Sequence, residues 1–312
     1  MMARYLIKRI IISVVTLFVI LLVLFLLLQL MPGSPFNDQK LSPDQIEVLK
    51  EKYGLDQPVI IQFFRYVGNM LKGDLGVSYS LSPNTPITTL LKNRFPITIV
   101  IGFFSMIFGT LAGLILGFLT AFFRNRVLNF FYHLLTLLGI AVPSYLFAMC
   151  FSYFFGYKGG VFPLLYDFRN PVASSVMPVM AMSLGVMAVV ARFAKAEGSD
   201  VLNSDYVLLA RCQGLSNRTI ILKYILRNSL MPVITVMASI LVGLLTGSLV
   251  IEQMFSIPGA GELLTNAINV NDYSVIIALS FVYSALYIVV MLILDILYCI
   301  IDPRVRLGGK PE

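Results

Sequence analysis

Residues 192–227, RFAKAEGSDVLNSDYVLLARCQGLSNRTIILKYILR, separate two of the most apolar runs in the chain. They include six Lys and Arg residues and three acids, so they form a longer polar interruption than a connection between membrane helices needs. Asn203 and Ser204 are N-cap residue types ahead of DYVLLARCQ, and Gly214 is a helix-ending residue. Ser216 offers a second N-cap ahead of NRTIILKYILR. The stretch therefore predicts two helices joined by a tight turn at residues 214–216.

The composition of the chain indicates an integral membrane protein. Hydrophobic residues make up 58% and charged residues 12% of the 312 residues, and the mean hydropathy is +0.87. A soluble domain has about 25% charged residues with which to cover its surface. The net charge of +7 does not indicate a nucleic-acid partner, because Lys and Arg of membrane proteins collect in cytoplasmic loops. Three widely spaced cysteines favour packing over a disulfide framework or a metal site.

Six apolar runs predict six transmembrane helices, at residues 10–31, 97–123, 127–157, 172–193, 230–251 and 275–301. The first run is longer than the apolar core of a signal peptide and ends in MPGSPF, so we expect a retained anchor. Pro143 should kink or break the third run. Gly109, Gly113 and Gly117 repeat every four residues along the second, which is typical of close packing between helices.

Residues 32–96 form a mixed segment between the first two runs. LSPDQIEVLKEKYG predicts a short helix over residues 41–54. Residues 56–73 predict an amphipathic helix that either lies on the membrane surface or packs on the bundle. Residues 73–86 are rich in turn formers. The expected organisation is an N-terminal tail and anchor (1–31), an extracytoplasmic segment (32–96) and a five-helix core (97–312).

The distribution of charge predicts the orientation. Arg124, Arg126, the 192–227 stretch and the basic C-terminal tail fall on one side of a six-helix topology. Residues 252–272 fall on the other side and contain three acids with no Lys or Arg. Because Lys and Arg concentrate in cytoplasmic loops, we expect both termini in the cytoplasm.

The chain lacks the usual motifs of an energy-converting protein. It has no G-x-x-x-x-G-K-[ST] phosphate loop, so it cannot hydrolyse ATP by that route, and no cofactor motif. His133 lies in the apolar third run, where a packed or hydrogen-bonded histidine is expected. Asp295 lies near the end of the sixth run, where a structural charge is expected. A proton site at either residue is the alternative.

Several motifs resemble one family of membrane proteins. The residues DYVLLARCQGLSNRTIILKYILRNSLMPVIT (205–235) resemble the cytoplasmic "EAA" loop of ABC-importer permeases, in the dipeptide/oligopeptide/nickel branch. In the same order as in that branch come RYLIKR, MPGSP, YGLDQP, GDLGVS, EQMFSIPGAGELL, DYSVI and DILYCIIDPRVRL. The resemblance covers essentially the whole chain. It implies an all-α integral membrane protein with the six transmembrane helices of a type I ABC-importer permease, in a bacterial-type plasma membrane.

The resemblance also implies how such a chain works. The loop would insert into a groove of a cytoplasmic ATPase subunit and transmit its closure. The implied partners are a second, homologous permease, two ATPase subunits, an extracytoplasmic substrate-binding protein and membrane lipid. ATP and Mg²⁺ would bind to the ATPase subunits, and this chain would hold no cofactor or metal of its own.

Two groups of site residues follow from the resemblance. The expected ATPase-coupling residues are Asp205, Tyr206, Leu209, Ala210, Gly214, Leu215 and Ser216. Ala210 and Gly214 match the family's alanine and glycine, whereas the first Glu and Ala of the motif fall on Leu208 and Leu209. Tyr206, Leu209 and Ala210 would offer a small apolar face. The expected outer gate or binding-protein contact comprises Glu252, Phe255, Pro258, Gly259 and Gly261.

Several alternatives stay open. The 205–227 hairpin could pack beneath the bundle without a partner, and residues 252–264 could be an ordinary loop. The implied substrate is an oligopeptide or dipeptide, with a nickel or other metal chelate and glutathione as alternatives within the family. A stand-alone proton-coupled transporter and a structural membrane protein are the alternatives of another class.

Overall fold

The computed structural model describes residues 2–30, 47–48, 51, 56–123, 125–245 and 249–301, and for some helical residues, 294–301 among them, the backbone only. The MPGSP motif, most of the helix predicted over 41–54, the basic C-terminal tail and the side chain of Asp295 lie outside this description. The chain divides into two compact units, Met1–Ile97 with Gly259–Glu312, and Thr98–Pro258.

The described residues are almost wholly helical. The helices are α1 (Met2–Leu30), α2 (Val59–Leu71), α3 (Ile87–Phe122), α4 (Arg126–Ala141), α5 (Ser144–Phe151), α6 (Pro171–Leu202), α7 (Asp205–Cys212), α8 (Asn217–Thr219), α9 (Arg227–Leu245), α10 (Leu249–Met254), α11 (Ala260–Asn269) and α12 (Tyr273–Ile301). π-Helical turns at Ser152–Lys158 extend α5, and others at Ile220–Leu226 join α8 to α9. Among the residues that the structure describes, one bridge pairs Val77 with Pro86 in an antiparallel sense.

Among the described residues, five helices are long and apolar enough to cross a membrane, and the count is six if the bent pair Arg126–Ala141 and Ser144–Lys158 is one span. A multi-pass helical membrane protein, as predicted, is therefore confirmed. The fourth span continues to Leu202, nine residues beyond its predicted end at residue 193. The second helix of the predicted hairpin and the fifth span form one continuous run of helix from Asn217 to Leu245.

Prolines in the spans have different effects on the helices. Pro143 separates α4 from α5, and the two helices are bent by 107°. Val142 before it is extended, as the residue preceding a proline prefers. By contrast, α3, α6 and α9 run through Pro96, Pro178 and Pro232. The predicted break at Pro143 is confirmed, whereas the second span begins at Ile87 and not, as expected, after Pro96.

The glycines of α3 allow it to approach α6 closely in the second unit. A Cβ on Gly109 would lie 2.5 Å from Cβ of Val186, and one on Gly113 would lie 2.7 Å from the carbonyl oxygen of Met187. A Cβ on Gly117 would lie 2.6 Å from the carbonyl oxygen of Ala191. The predicted glycine stripe is confirmed as a helix–helix contact.

The first unit has its own apolar core, formed by α1, α2, α11, α12 and the start of α3. Phe63 of α2, Ile87 of α3 and Leu263 of α11 are almost completely buried there. The rings of Phe18 and Phe25 of α1 contact Phe63 edge to face. This core fixes the polar segment between α2 and α3 beside the beginning of α12.

Candidate coupling and outer sites

The predicted hairpin forms because its sequence ends one helix and starts the next within four residues. Gln213 is the C-cap of α7, and Gly214 follows in the left-handed conformation, with φ of 75°. The amide of Leu215 donates to the carbonyl of Ala210 at 3.2 Å, and that of Gly214 donates to the carbonyl of Arg211 at 3.0 Å. These two bonds define a Schellman motif. The predicted turn at residue 214 is confirmed.

The second helix begins where its N-cap was predicted. The side chain of Ser216 accepts a hydrogen bond from the amide of Thr219 at 3.3 Å. Ser204 is the N-cap residue of α7, but its hydroxyl donates back to the carbonyl of Val201 at 2.6 Å. Asn203 is the C-cap of α6. Two residue positions therefore separate α6 from α7.

One face of α7 is buried against the chain itself. Val207 is fully buried and Ala210 is 2% exposed, in a cluster with Ile220 and Ile225. Leu215 packs against the same cluster. The expectation that Ala210 shares an exposed face with Tyr206 and Leu209 is wrong, because the returning helix covers the small side chain. Ala210 fixes α7 in place.

The opposite face of α7 is exposed and apolar. Leu208 and Leu209 are 61% and 59% exposed, and Tyr206 is 41% exposed. Asp205 lies at the start of the same face and is exposed. The positions that carry the motif's first Glu and Ala in the family are therefore the accessible ones here. The resemblance alone did not single out Leu208, although two adjacent leucines in a polar stretch are a visible signal.

Two residues of the expected outer site in the second unit, Glu252 and Phe255, are buried. Glu252 is 3% exposed, and the hydroxyl of Thr98 donates to its Oε1 at 2.8 Å. Phe255 is fully buried, and its carbonyl accepts from the amide of Tyr166 at 2.8 Å. Pro258 is half-buried. Glu252 thus lies in a protein interior, where a carboxylate needs polar partners.

A second Schellman motif shapes this region. The amide of Ile257 donates to the carbonyl of Glu252 at 2.8 Å, and that of Ser256 donates to the carbonyl of Gln253 at 3.1 Å. Ser256 has a φ of 49°, which is costly for a residue with a side chain. Helices α10 and α11 occupy most of residues 252–264.

The remaining residues of the expected outer site belong to the first unit. Gly259 is the N-cap residue of α11, and Gly261 is buried in its first turn. Glu262 forms an ion pair with Arg94 of α3 and accepts a hydrogen bond from Asn266 at 3.2 Å. The two carboxylates of residues 252–264 therefore have different surroundings. Glu252 is buried and accepts from a hydroxyl, whereas Glu262 is half-buried and ion-paired.

Sequence reasoning missed a buried carboxylate next to this helix. Asp272 is fully buried and accepts from the hydroxyl of Ser78 at 2.5 Å. The amides of Tyr79, Ser80 and Leu81 donate to it at 3.0, 3.0 and 3.1 Å. Four donors from one loop thus surround a carboxylate at the start of α12. We call this arrangement, residues 78–81 with Asp272, the carboxylate clasp.

Tyr66 of α2 lies beside the carboxylate clasp. Its hydroxyl donates to the carbonyls of Leu75 and Ser274 at 3.5 and 3.4 Å. Burial, with the nearby negative charges of Asp74 and Asp272 and the neighbouring Tyr79 adding to it, raises the pKa of Tyr66 far above its usual range. The hydroxyl therefore keeps its proton and remains a donor.

Within the described part of the chain, no three His, Cys, Asp or Glu residues are placed to hold a metal ion. His133 is exposed on α4, with its ring against Tyr132.

Two family models match the chain. The model described as binding-protein-dependent transport system inner membrane component matches residues 109–307. The model for the N-terminal part of such membrane components matches residues 2–102. Together they cover nearly the whole sequence, including α7 and the carboxylate clasp.

Three of the relatives with full-length similarity are permease proteins of transport systems. The chain is 40% identical to the dipeptide transport system permease protein DppB of Lactococcus lactis, over 98% of this chain and all of the relative. It is 33% identical to the oligopeptide transport system permease protein OppB of Haemophilus influenzae, with the same coverage. It is 32% identical to the glutathione transport system permease protein GsiC of Escherichia coli, over 98% of this chain and 99% of the relative. The chain therefore belongs to the family of binding-protein-dependent transport system inner membrane components, and it is a non-catalytic, membrane-spanning subunit of an importer.

Proposed function

We propose that this chain is one of two permease subunits of an ATP-driven peptide importer. It forms half of the translocation pathway, together with a second, homologous permease. Two cytoplasmic ATPase subunits hold ATP and Mg²⁺, and an extracytoplasmic binding protein delivers the substrate. Support comes from the family match over the whole chain and from the absence of a phosphate loop in its sequence.

The single observation that best supports the coupling role is the division of α7 into two faces. Val207 and Ala210 are buried against the chain's own helix, so α7 is held rigidly. Leu208 and Leu209 point away from that contact and remain exposed. An amphipathic helix that presents leucines outward fits into an apolar groove of a partner. The ATPase therefore contacts Leu208, Leu209, Tyr206 and Asp205, and Ala210 acts indirectly as an anchor.

Substitution of the two leucines tests this assignment. In the assembled transporter, Leu208→Ser with Leu209→Ser should weaken ATPase binding about tenfold or more, since each buried interface side chain contributes about 1 kcal/mol or more. The matched control is Leu222→Ser, a similarly exposed leucine of the π-helical turns, at 57% exposure. Co-purification of the ATPase with the permease measures the effect. Wild-type recovery of the ATPase with the double variant would contradict the assignment.

Gly214→Trp tests the turn itself. The glycine has a positive φ, and no atom of the described residues outside the turn lies within 4 Å of the place that a Cβ would take. A bulky L-residue there strains the turn and covers the surface beside α7. ATP-dependent peptide uptake should fall with this variant, and uptake that survives unchanged would contradict the coupling role of the turn.

We assign Glu252, Phe255, Pro258, Gly259 and Gly261 to an outer gate or binding-protein contact. Burial of Glu252 and its bond from Thr98 support a gate, because breaking such a bond has a large energetic effect in a dry interior. Glu252→Gln should reduce ATP-driven uptake about tenfold, equivalent to about 1.4 kcal/mol. Asp200→Asn, an exposed acid of α6, is the control. Unchanged uptake with Glu252→Gln would remove this residue from the site.

The proposed topology has six spans with both termini in the cytoplasm. It follows from the charge asymmetry of the loops. Cys212 at the end of α7 is exposed and reports on it directly. With Cys150 and Cys299 replaced by serine, a membrane-impermeant maleimide should label Cys212 in inverted vesicles but not in intact cells. Labelling in intact cells would contradict the orientation.

The substrate that we propose is an oligopeptide, with dipeptides as the second choice. The three named relatives transport a dipeptide, an oligopeptide and glutathione, which share a peptide backbone. Glutathione and a nickel or other metal chelate remain the alternatives. The ligand that co-purifies with the cognate binding protein decides between them, and a metal chelate there would overturn the peptide assignment.

A further inference from the structure

Helix α2 has three distinct faces. At about 100° per residue, Phe63, Tyr66 and Met70 fall on one side, and they face the core of the first unit. Ile60, Phe64 and Leu71 fall together on a second side, at 66%, 59% and 83% exposure. The third side carries the exposed polar residues Arg65, Asn69 and Lys72.

Within the described part of the unit, the second side lies outside the buried core, and Phe64 contacts the ring of Phe18 at the surface of α1. A helix that packs on a soluble domain needs one apolar face, and its remaining surface is polar. We call Ile60, Phe64 and Leu71 the exposed strip of α2. A large exposed apolar strip beside a basic polar face is typical of a helix that lies in a membrane interface.

Contacts of α2 with α1 show at what depth it lies. The ring of Phe63 is 5.2 Å from that of Phe18 and 5.7 Å from that of Phe25, and the ring of Phe64 is 6.4 Å from that of Phe18. The candidate span of α1 is Ile7–Leu28, so Phe18 lies near its middle. Along the helix Phe18 is about 15 Å from Leu28, which is half of a ~30 Å hydrocarbon core.

The exposed strip is continuous with an exposed apolar surface of α1. Phe18, which Phe64 contacts, is itself 37% exposed. Val15, about one turn before Phe18 on α1, and Val19, the residue after Phe18, are 56% and 49% exposed. Because an apolar span with this exposure faces acyl chains, the aromatic patch of Phe18 and Phe64 faces them as well.

We propose that α2 is a membrane-embedded helix whose exposed strip contacts lipid acyl chains in the leaflet at the carboxyl end of α1. Arg65 and Lys72 lie on its polar face, on a different side of the helix from the exposed strip. The 32–96 segment is then in part a lipid-contacting element, which holds α1 and the carboxylate clasp at a fixed height in the membrane. This inference does not depend on the transported substrate or on the ATPase contact.

The chain contains no tryptophan, so one introduced tryptophan reports on its own surroundings. The full-length chain with Phe64→Trp is reconstituted into phosphatidylcholine vesicles with brominated acyl chains, which quench tryptophan fluorescence on contact. Val15→Trp on the exposed face of α1 is the positive control. Lys72→Trp on the polar face of α2 is the matched negative control.

Quenching at Phe64→Trp should be at least half of that at Val15→Trp and several-fold greater than that at Lys72→Trp. Ile60→Trp, one helical turn before Phe64 on the exposed strip, should behave in the same way. It replaces Phe64→Trp as the test if that variant does not fold. Quenching at both positions no greater than at Lys72→Trp would overturn the proposal, whether water or a second copy of the chain covers the strip.

Discussion

Replacing Gly113 with alanine should destabilise the contact between α3 and α6. The new Cβ would lie 2.7 Å from the carbonyl oxygen of Met187 and 2.8 Å from Cβ of Val190, where ordinary contacts begin at 3.4 Å. Both neighbours are fixed to the backbone of α6, so neither can rotate away, and the helices must separate by about 0.7 Å. Overpacking of this kind costs about 1–3 kcal/mol. At about 2–4 °C for each kcal/mol, we expect the apparent Tm to fall by several degrees.

Thermal unfolding of the purified chain in detergent measures this shift. Gly185→Ala is the matched control, because the same substitution on α6 would place a Cβ 3.7 Å from its nearest neighbour, the carbonyl oxygen of Gly139. Its Tm should stay the same or rise slightly, since alanine favours helix over glycine. Equal Tm values for the two variants would contradict the close contact between α3 and α6 at Gly113.

Three further substitutions test the polar and turn geometry. Asp272→Ala should cost about 3 kcal/mol by leaving the donors of residues 78–81 unpaired, and faster limited proteolysis of that loop would show it; an unchanged rate would argue against the carboxylate clasp. Gly214→Ala should cost about 1 kcal/mol through its positive φ alone, which the Tm measures, and a rise in Tm would contradict the left-handed turn. Ser256→Gly should stabilise the chain by about 0.5–1 kcal/mol by relieving a φ of 49°, and a lower Tm would show that Ser256 has another role.

The elements that local chemistry determines could be predicted from the sequence. Gly214 and Ser216 specify a helix stop and a helix start through their own backbone and side chain, and both lie where the sequence placed them. The glycine stripe from Gly109 to Gly117 also follows from spacing alone, because a four-residue repeat lies on one helix face. Apolar length likewise identifies the spans.

The sequence predicted helix boundaries at prolines less accurately than it predicted the turn and the glycine stripe. Pro143 and Pro96 both follow apolar or aromatic residues, yet one ends a helix and the other lies inside one. The outcome depends on whether neighbouring helices and local adjustments compensate for the missing hydrogen bond, which is a tertiary property. The sequence shows that a proline lacks its amide donor, but it does not show which neighbouring groups compensate for that loss.

At the candidate sites, the sequence could not predict contacts between distant residues or the burial of individual side chains. Ser78 and Asp272 lie far apart in the sequence, and nothing local to either residue indicates the other. The small side chain of Ala210 suggested an accessible contact, but Ile220 and Ile225 return to cover it, and the adjacent leucines are exposed. The sequence therefore predicted a helix at the motif, and only the packing showed which face of that helix is exposed.

Peptide uptake into proteoliposomes tests the central claim most directly. Vesicles that contain this chain, its homologous permease, both ATPase subunits and the binding protein should take up a labelled oligopeptide only when ATP is present on the ATPase side. Vesicles that contain this chain alone should show no uptake with a pH gradient and without ATP. Uptake by the chain alone under a pH gradient would contradict the account and would favour a stand-alone proton-coupled transporter.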